Sequence, residues 1–227
     1  MIQLKIDLHV HTMHSGDSST SVAEAIEWGK RRNLDGIAIT DHNTVEAARE
    51  IPRLGSGFTV ILGEEVDTQQ GHLIALGIDE RIPRDLPFSE ALKMIRERGG
   101  LAIVPHPLDS LRGGVGFEII RSFIPDGIEV ANSHSLFFNS AKSRASRLAQ
   151  DLNVACVGGS DAHLPETIGD SYTVVSCRKR SQGSILMSIR EGRTQAVGAP
   201  TKLQYRLKTL SLFLSKFSRN NSHDVEY

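Results

Sequence analysis

Cysteine is scarce in this chain of 227 residues: only Cys156 and Cys177 occur, far apart and in apolar, strand-like surroundings. They read as buried thiols of a reducing compartment more than as a disulfide, which makes the cytoplasm the expected location. Long hydrophobic runs are also missing. No stretch approaches the roughly 18 apolar residues of a membrane span, and the start, MIQLKIDLHVH, has no apolar segment of the signal-peptide kind. Neither a repeat nor a low-complexity tract is present. Net charge is close to nil, at −1, but it is unevenly spread: Arg178 to Arg219 holds ten Lys/Arg against the single acid Glu191. The acidic body suits hard or borderline cations, and the basic tail is either a solvated helix face or a meeting place for an anionic partner. Apolar residues at 39% and charged residues at 23% describe an ordinary globular protein of one or two domains.

Histidine, by contrast, is concentrated. DLHVHTMHSGDS, residues 7 to 18, places three of the nine histidines and two aspartates in twelve positions. In an extended segment Asp7, His9 and His11 share one face and Ile6, Leu8 and Val10 the other. The apolar face belongs to a core. The polar face is either a solvated edge or a pair of imidazoles placed to hold an ion.

Along the chain, strand-like and helix-like stretches alternate. Strands are expected at Leu4–Val10, Gly36–Thr40, Thr59–Val66, His72–Ile78, Leu101–Pro105, Gly127–Ala131 and Val154–Gly158, with Tyr172–Ser176 in addition. Helices are expected after the capping box Ser21/Glu24, over Thr44–Leu54, from Ser89 to Arg98, from Ser140 to Leu152 and from Ser181 to Arg190. Such alternation predicts a parallel sheet with helices outside it. The polar residues then choose between an open sheet and a barrel. His9 and His11, Asp41 and His42, Glu65, His106, and Asp161 with His163 all fall at or just past C-terminal strand ends, and only His72 begins its strand. A barrel gathers those ends on one rim, whereas an open sheet spreads them too widely for one cluster.

Taken singly, these residues have ordinary explanations. His106 before Pro107 suits a turn, and Asp41-His42 suits a helix cap. Taken together, His9, His11, Asp17, His42, Glu65, His72, His106, Asp161 and His163 are nine nitrogen and oxygen donors converging on one rim, which points to metal. One catalytic zinc needs only three protein ligands, so the set would serve two or three divalent ions. The mixed imidazole and carboxylate shell fits manganese, iron or zinc better than magnesium.

The motifs DLHVHT…SGDS, GIAITDHNT, GEEV…GHLIALGI, VPHP and GGSDAH, in that order, resemble the PHP family, named for polymerases and histidinol phosphatases. The resemblance covers roughly residues 5 to 170, and SYTVV…SIREGRTQAVG looks like the short C-terminal extension of stand-alone members. It implies a distorted seven-stranded β/α barrel over residues 1–198, extension included, with a trinuclear metal centre. Carried over by position, His9, His11, Asp161 and a bridging Glu65 would bind one ion, and Glu65, His72 and His106 a second. Asp17, His42 and His163 would bind the third. His14 competes with Asp17, and Glu64 should point away from Glu65 along the strand. Asp7 is expected to orient a ligand imidazole.

Clustered divalent ions lower the pKa of a bridging water and clamp phosphoryl oxygens, so hydrolysis of a phosphomonoester or phosphodiester follows, as the resemblance also implies. Asp161 could additionally handle protons, though a metal-bound carboxylate is a poor base. Arg112, on the loop after the HP turn, is a candidate for pairing with phosphate. His134 is a candidate for protonating a leaving oxygen. Ser160 has no triad around it and reads as packing, and GGVG at 113 to 116 is too loose for a phosphate loop.

Residues 199–227 form the tail. Leu203, Leu207, Leu210, Leu214 and Phe217 share a helical face that would dock on the barrel or on a twin subunit, and Asn220 to Tyr227 read as disordered. The leading expectation is a phosphoesterase for a small phosphorylated metabolite or nucleotide. Alternatives are an exonuclease on short oligonucleotides that uses Lys202, Arg206, Lys208 and Lys216, a histidinol phosphatase, or a non-catalytic scaffold. The filled ligand set argues against the scaffold, and the missing aromatic platform in the tail argues against the exonuclease.

Overall fold

A computed structural model describes residues 1–51 and 57–222, with side chains of the last helix as far as 212. Among the described residues nine strands form one sheet. They are β1 (Ile2–Val10), β2 (Gly36–His42), β3 (Thr59–Thr68), β4 (Gly71–Leu76), β5 (Leu101–Val104), β6 (Gly127–Asn132), β7 (Ala155–Gly159), β8 (Ser171–Cys177) and β9 (Thr194–Gly198), in the spatial order 7-6-5-4-3-2-1-8-9. The helices are α1 (Val22–Arg31), α2 (Phe88–Glu97), α3 (Phe117–Ser122), α4 (Phe138–Asp151), α5 (Gln182–Arg190) and α6 (Leu203–Ser222).

The sheet wraps into a nearly closed barrel. Leu4, Ile6 and Leu8 of β1 pack in one buried cluster with Ala38, Ile61, Ile74, Ile103, Val157 and Val175, which come from six other strands. Only a sheet curled on itself brings so many strands into mutual contact. At the rim the seam is fastened by Asp161 N–H to His9 O at 2.8 Å and His11 N–H to Ala162 O at 3.0 Å. Lower down, the Thr173 hydroxyl bonds both N–H and C=O of Gly158, tying β7 to β8. Ile185 and Ile189 of α5 join the interior cluster, while α2 and α4 cover one outer face and α1 another.

The expected barrel is therefore present, but with nine strands among the described residues instead of seven, because the C-terminal segment adds β8 antiparallel to β1 and β9 antiparallel to β8. Nor is the sheet wholly parallel. β4 runs antiparallel to β3 and to β5. Only Gln69 and Gln70 separate β3 from β4, too few residues for the crossover that a parallel pair requires. This reversal explains the one exception in the sequence pattern: the start of β4 lies on the rim where its neighbours end, which brings His72 to the other donors.

Helix α1 has the expected capping box, with Glu24 N–H donating to Ser21 Oγ and Ser21 N–H to the Glu24 carboxylate. Where a helix is expected over Thr44–Leu54, the described residues show the 3-10 turn Glu46–Arg49, following left-handed Asn43 (φ 53°). Leu54 lies outside the described residues. In the tail, Asn220 to Ser222 continue α6 instead of being disordered; residues 223–227, like the side chains of Leu214, Lys216 and Phe217, lie outside the described set.

Candidate metal centre

A bulge in β1 decides which way the first donors point. Asp7 pairs with Ile37 of β2 and Val10 with Ile39, so β1 carries one residue too many between them. Leu8 stays with the interior cluster, whereas Val10 joins the layer under α1. The simple alternation read from the sequence is thus broken, and His9 and His11 turn into the barrel mouth while Asp7 does not follow them. Asp7 instead accepts the backbone N–H groups of Ser160 at 2.9 Å and Gly169 at 2.8 Å, buckling β1 to the segments after β7. Burial lifts its carboxyl to about 7. Among the described residues its hydrogen bonds go to backbone N–H groups and to no imidazole, contrary to the expectation.

Glu65 lies at the centre of the mouth. One carboxylate oxygen is 3.0 Å from His72 Nδ1 and 3.0 Å from His106 Nε2. The other is 3.2 Å from His9 Nε2, 3.3 Å from His11 Nε2 and 3.4 Å from His42 Nδ1. Asp161 offers Oδ1 to His11 at 3.3 Å and to His9 at 3.6 Å. Its Oδ2 takes the Arg112 guanidinium and, at 3.1 Å, the Asn132 amide. Asp17 is 2.9 Å from His163 Nε2 and 3.5 Å from His42 Nε2. All nine expected donors therefore meet. His14 does not: it pairs with Glu50 at 2.7 Å, away from the cluster. Glu64 points to the other side of the strand, where it accepts Ile82 N–H and burial pushes its carboxyl up to about 7.

Electrostatics keeps the central acids ionised. Burial alone would raise the Glu65 carboxyl, but His9 and His42 outweigh it and hold it well below the usual carboxylate range. Arg112 and His9 do the same for Asp161. Conversely, burial would depress His11, yet Asp161 and Glu65 lift it to about 10.

The donor set fits metal ions. His9 presents Nδ1 to the Glu129 carboxylate at 3.1 Å, His11 presents Nδ1 to Ser15 Oγ at 3.0 Å, and His163 presents Nδ1 to the Asp161 carbonyl at 3.0 Å. In the neutral ring a proton on each outer nitrogen leaves an inward lone pair on Nε2, the arrangement of a metal-ligating histidine, so at His11 a bound cation would take the place of the inner proton that Asp161 and Glu65 favour. The Nε2 atoms of His9 and His11 are only 3.0 Å apart, a contact that a shared cation satisfies better than a hydrogen bond between two rings. Asp17 Oδ1 is buried with no hydrogen-bond partner. Among the described residues four groups have donor atoms within 4.8 Å of one another: His9/His11/Asp161, His9/Glu65/His106, His42/Glu65/His72 and His11/Asp17/His42/His163.

The backbone is bent to serve these positions. His106 (φ 27°) and Asp161 (φ 57°) both adopt left-handed conformations, which non-glycine residues enter at a cost. Gly113 needs its missing side chain: a Cβ there would strike the His72 ring, and its carbonyl accepts His72 N–H at 2.7 Å. GGVG thus packs a histidine in place.

The sequence reading missed Glu129 and Asn132. Glu129 holds His9 with one oxygen and His106 N–H, at 2.9 Å, with the other. The signal available was Glu129 and Asn132, two polar residues in the otherwise apolar strand GIEVAN. His134 stands over His163, with ring centroids 5.9 Å apart, and burial drives its pKa down to about 3. A ring that is neutral at pH 7 suits an N–H donor better than the proton source expected. Arg112 lies against Asp161, and its Nη1 is buried without a hydrogen-bond partner.

A profile described as the PHP domain matches residues 7–151, and one described as PHP-associated matches residues 139–194. An uncharacterized protein of Methanocaldococcus jannaschii is 35% identical over 143 residues, 58% of this chain and 83% of that protein. A probable phosphatase of Vibrio campbellii is 26% identical, covering 74% of this chain and 81% of the relative. Among solved structures, a two-domain Bacteroides vulgatus protein containing a predicted PHP-like metal-dependent phosphoesterase superimposes with a TM-score of 0.72 at 21% identity, over 95% of this chain and 70% of that one. The profile match spans most of the barrel and every donor but Asp161 and His163, and on it the chain belongs to the PHP family.

Proposed function

We propose that this PHP-family protein, a hydrolase of phosphoric esters, cleaves a small phosphorylated molecule at a centre of three divalent ions, manganese, iron or zinc. The observation that carries this reading is the division of Glu65, whose two oxygens face separate sets of imidazoles and so suit a bridge between neighbouring ions. His9, His11, Glu65 and Asp161 would hold one ion, Glu65, His72 and His106 a second, and Asp17, His42 and His163 a third. Bound there, divalent ions supply an activated water near neutral pH and neutralise phosphate oxygens.

The chain's own groups do the rest. Arg112, whose Nη1 makes no hydrogen bond and lies 3.8 Å from Asp109 Oδ2, is placed to share itself between Asp109, Asp161 and a phosphate oxygen. His134 offers a neutral ring on the same side. Glu129 fixes His9 and the turn at His106, so the donors are held before substrate arrives.

Support for the oligonucleotide alternative weakens in the tail. Arg206 bonds the carbonyls of Thr201, Ser133 and Ser135, and Lys208 pairs with Glu166 at 2.8 Å. Two of the four cations that would grip a nucleic acid backbone are engaged within the chain. Of the leucine face of α6, the described Leu203, Leu207 and Leu210 are exposed instead of docked on the barrel, and a twin subunit is the partner we favour for them. No described helix is long and apolar enough to cross a membrane.

The test combines elemental analysis with turnover. Gently purified protein should carry more than one transition-metal equivalent and, loaded with manganese, iron or zinc, hydrolyse members of a panel of phosphomonoesters, nucleotides and oligonucleotides. Protein that reloads to one equivalent at most, or cleaves none of the panel, overturns the reading.

A further inference from the structure

Beside the donor cluster, a cavity of about 290 Å³ runs outward from His106 and Asn132 between the loop after β5 and the start of α4. Its lining mixes polar side chains such as Asp109 and Arg144 with the apolar Leu108, Leu111, Leu136, Phe137 and Phe138. Three of these are unusual for their exposure: Leu111 is 89% exposed, Phe137 79% and Leu136 70%. Large apolar side chains left singly in water need no explanation, but here two separate loops bring three of them to the border of one cavity. None of the three is used by the donor cluster or by the fold's buried clusters.

We propose that this cavity receives the alcohol part of the phosphate ester and selects a flat, apolar ring over a polyhydroxylated chain. This rests on the phosphoesterase reading above. A phosphate at the donor cluster and a group in the cavity would share His106 and Asn132 as neighbours, so one ester can occupy both places at once. The ring's faces would meet Leu111, Leu136 and Phe137, covering side chains that otherwise stand in water. A sugar or polyol would lose the water on each hydroxyl laid against Leu111, Leu136 and Phe137, and these three side chains return no hydrogen bond. The volume lies at the lower end of small-molecule sites, enough for one ring system and too little for an oligomer.

The experiment uses full-length, metal-loaded protein and esters of alkyl alcohols, so that leaving-group ability is comparable. Benzyl phosphate and 2-phenylethyl phosphate are compared with glycerol 3-phosphate and ribose 5-phosphate by kcat/KM. Calorimetry with benzylphosphonate and methylphosphonate, which are not cleaved, reads binding without turnover. The ring-bearing ligands should lead by about tenfold or more in both measurements. Phe137→Ala and Leu111→Ser, at exposed positions that the fold does not need, should erase that lead while polyol turnover stays as it was. Equal handling of rings and polyols, or a ring preference that survives both substitutions, overturns the proposal. Preferential benzylphosphonate binding without cleavage of any ester would instead strike the phosphoesterase reading and leave the cavity's preference standing.

Discussion

Glu129 holds the Nδ1 edge of His9 at 3.1 Å while its other oxygen takes the backbone N–H of His106 at 2.9 Å. One buried carboxylate thus sets both the tautomer of a donor ring and the strained turn that carries another donor. Glu129→Gln keeps the shape but weakens the acceptor facing His9. Outer partners of this kind are worth about 10- to 100-fold in metal affinity. We expect that loss in a competitive chelator titration, with an unchanged far-UV circular dichroism spectrum. Affinity equal to that of the parent protein would remove Glu129 from the centre.

Glu65 and Glu64 are adjacent and both buried, yet they face opposite sides of β3. Glu65→Gln should cost more than the roughly 100-fold of an outer partner and should lower bound metal. Glu64→Gln keeps an acceptor for Ile82 N–H and should change neither. Equal damage from both would mean that the register of β3 at the rim is wrong.

Metal removal offers a third check. Ions bound to the folded chain and not to the unfolded one stabilise it by mass action, about 2.7 kcal/mol at a hundredfold excess over Kd. Chelated protein should melt several degrees lower in scanning calorimetry, and manganese or zinc should restore the transition where magnesium does not. A melting temperature indifferent to chelation and reloading would contradict the centre.

The donors were legible in the sequence because they are concentrated histidines and acids at strand ends, and a strand end is a local feature. Even the exception, His72, becomes regular once β4 is seen to run backwards. What escaped depends on contacts between distant segments. The bulge that separates Asp7 from His9 arises from the pairing of β1 with β2. Glu129 reaches His9 across 120 positions of sequence, and Arg206 reaches Ser133 across 73. No local pattern announces such pairs. β9 was missed for a milder reason: TQAVG is short and only half buried, so its hydrophobic alternation is faint.

Thiol chemistry tests the first inference from composition. Cys156 and Cys177 are free, Cys177 is buried, and burial raises the pKa of the Cys156 thiol. A raised pKa means less thiolate at a given pH, and the thiolate is the reactive form. Folded protein without reductant should react slowly with a thiol reagent at pH 7 and faster as the pH rises. Denatured protein should release two equivalents at once. Fewer than two would reveal a disulfide or an oxidised thiol.

The last prediction concerns α6. Arg206 gives its guanidinium to the carbonyls of Ser133 and Ser135, at 2.8 and 3.0 Å, and to Thr201 at 2.8 Å. Those carbonyls flank His134, so a helix far along the chain pins the loop that borders the mouth. Hydrogen bonds to a charged group contribute about 1.5–3 kcal/mol each when well buried, and this partly exposed cluster should contribute about 2 kcal/mol in all. Arg206→Ala should therefore lower stability by that amount and raise KM through a looser Ser133–Ser135 loop, with kcat little changed. Arg206→Lys keeps the charge but not the planar fork and should recover only part of the loss. Lys208→Ala should do much less, because its pair with Glu166 is exposed to water. If instead the tail served to grip nucleic acid, both substitutions would weaken oligonucleotide binding alike and flatten its salt dependence, with no effect on the melting temperature. Urea titrations read beside KM for a small ester separate the two outcomes.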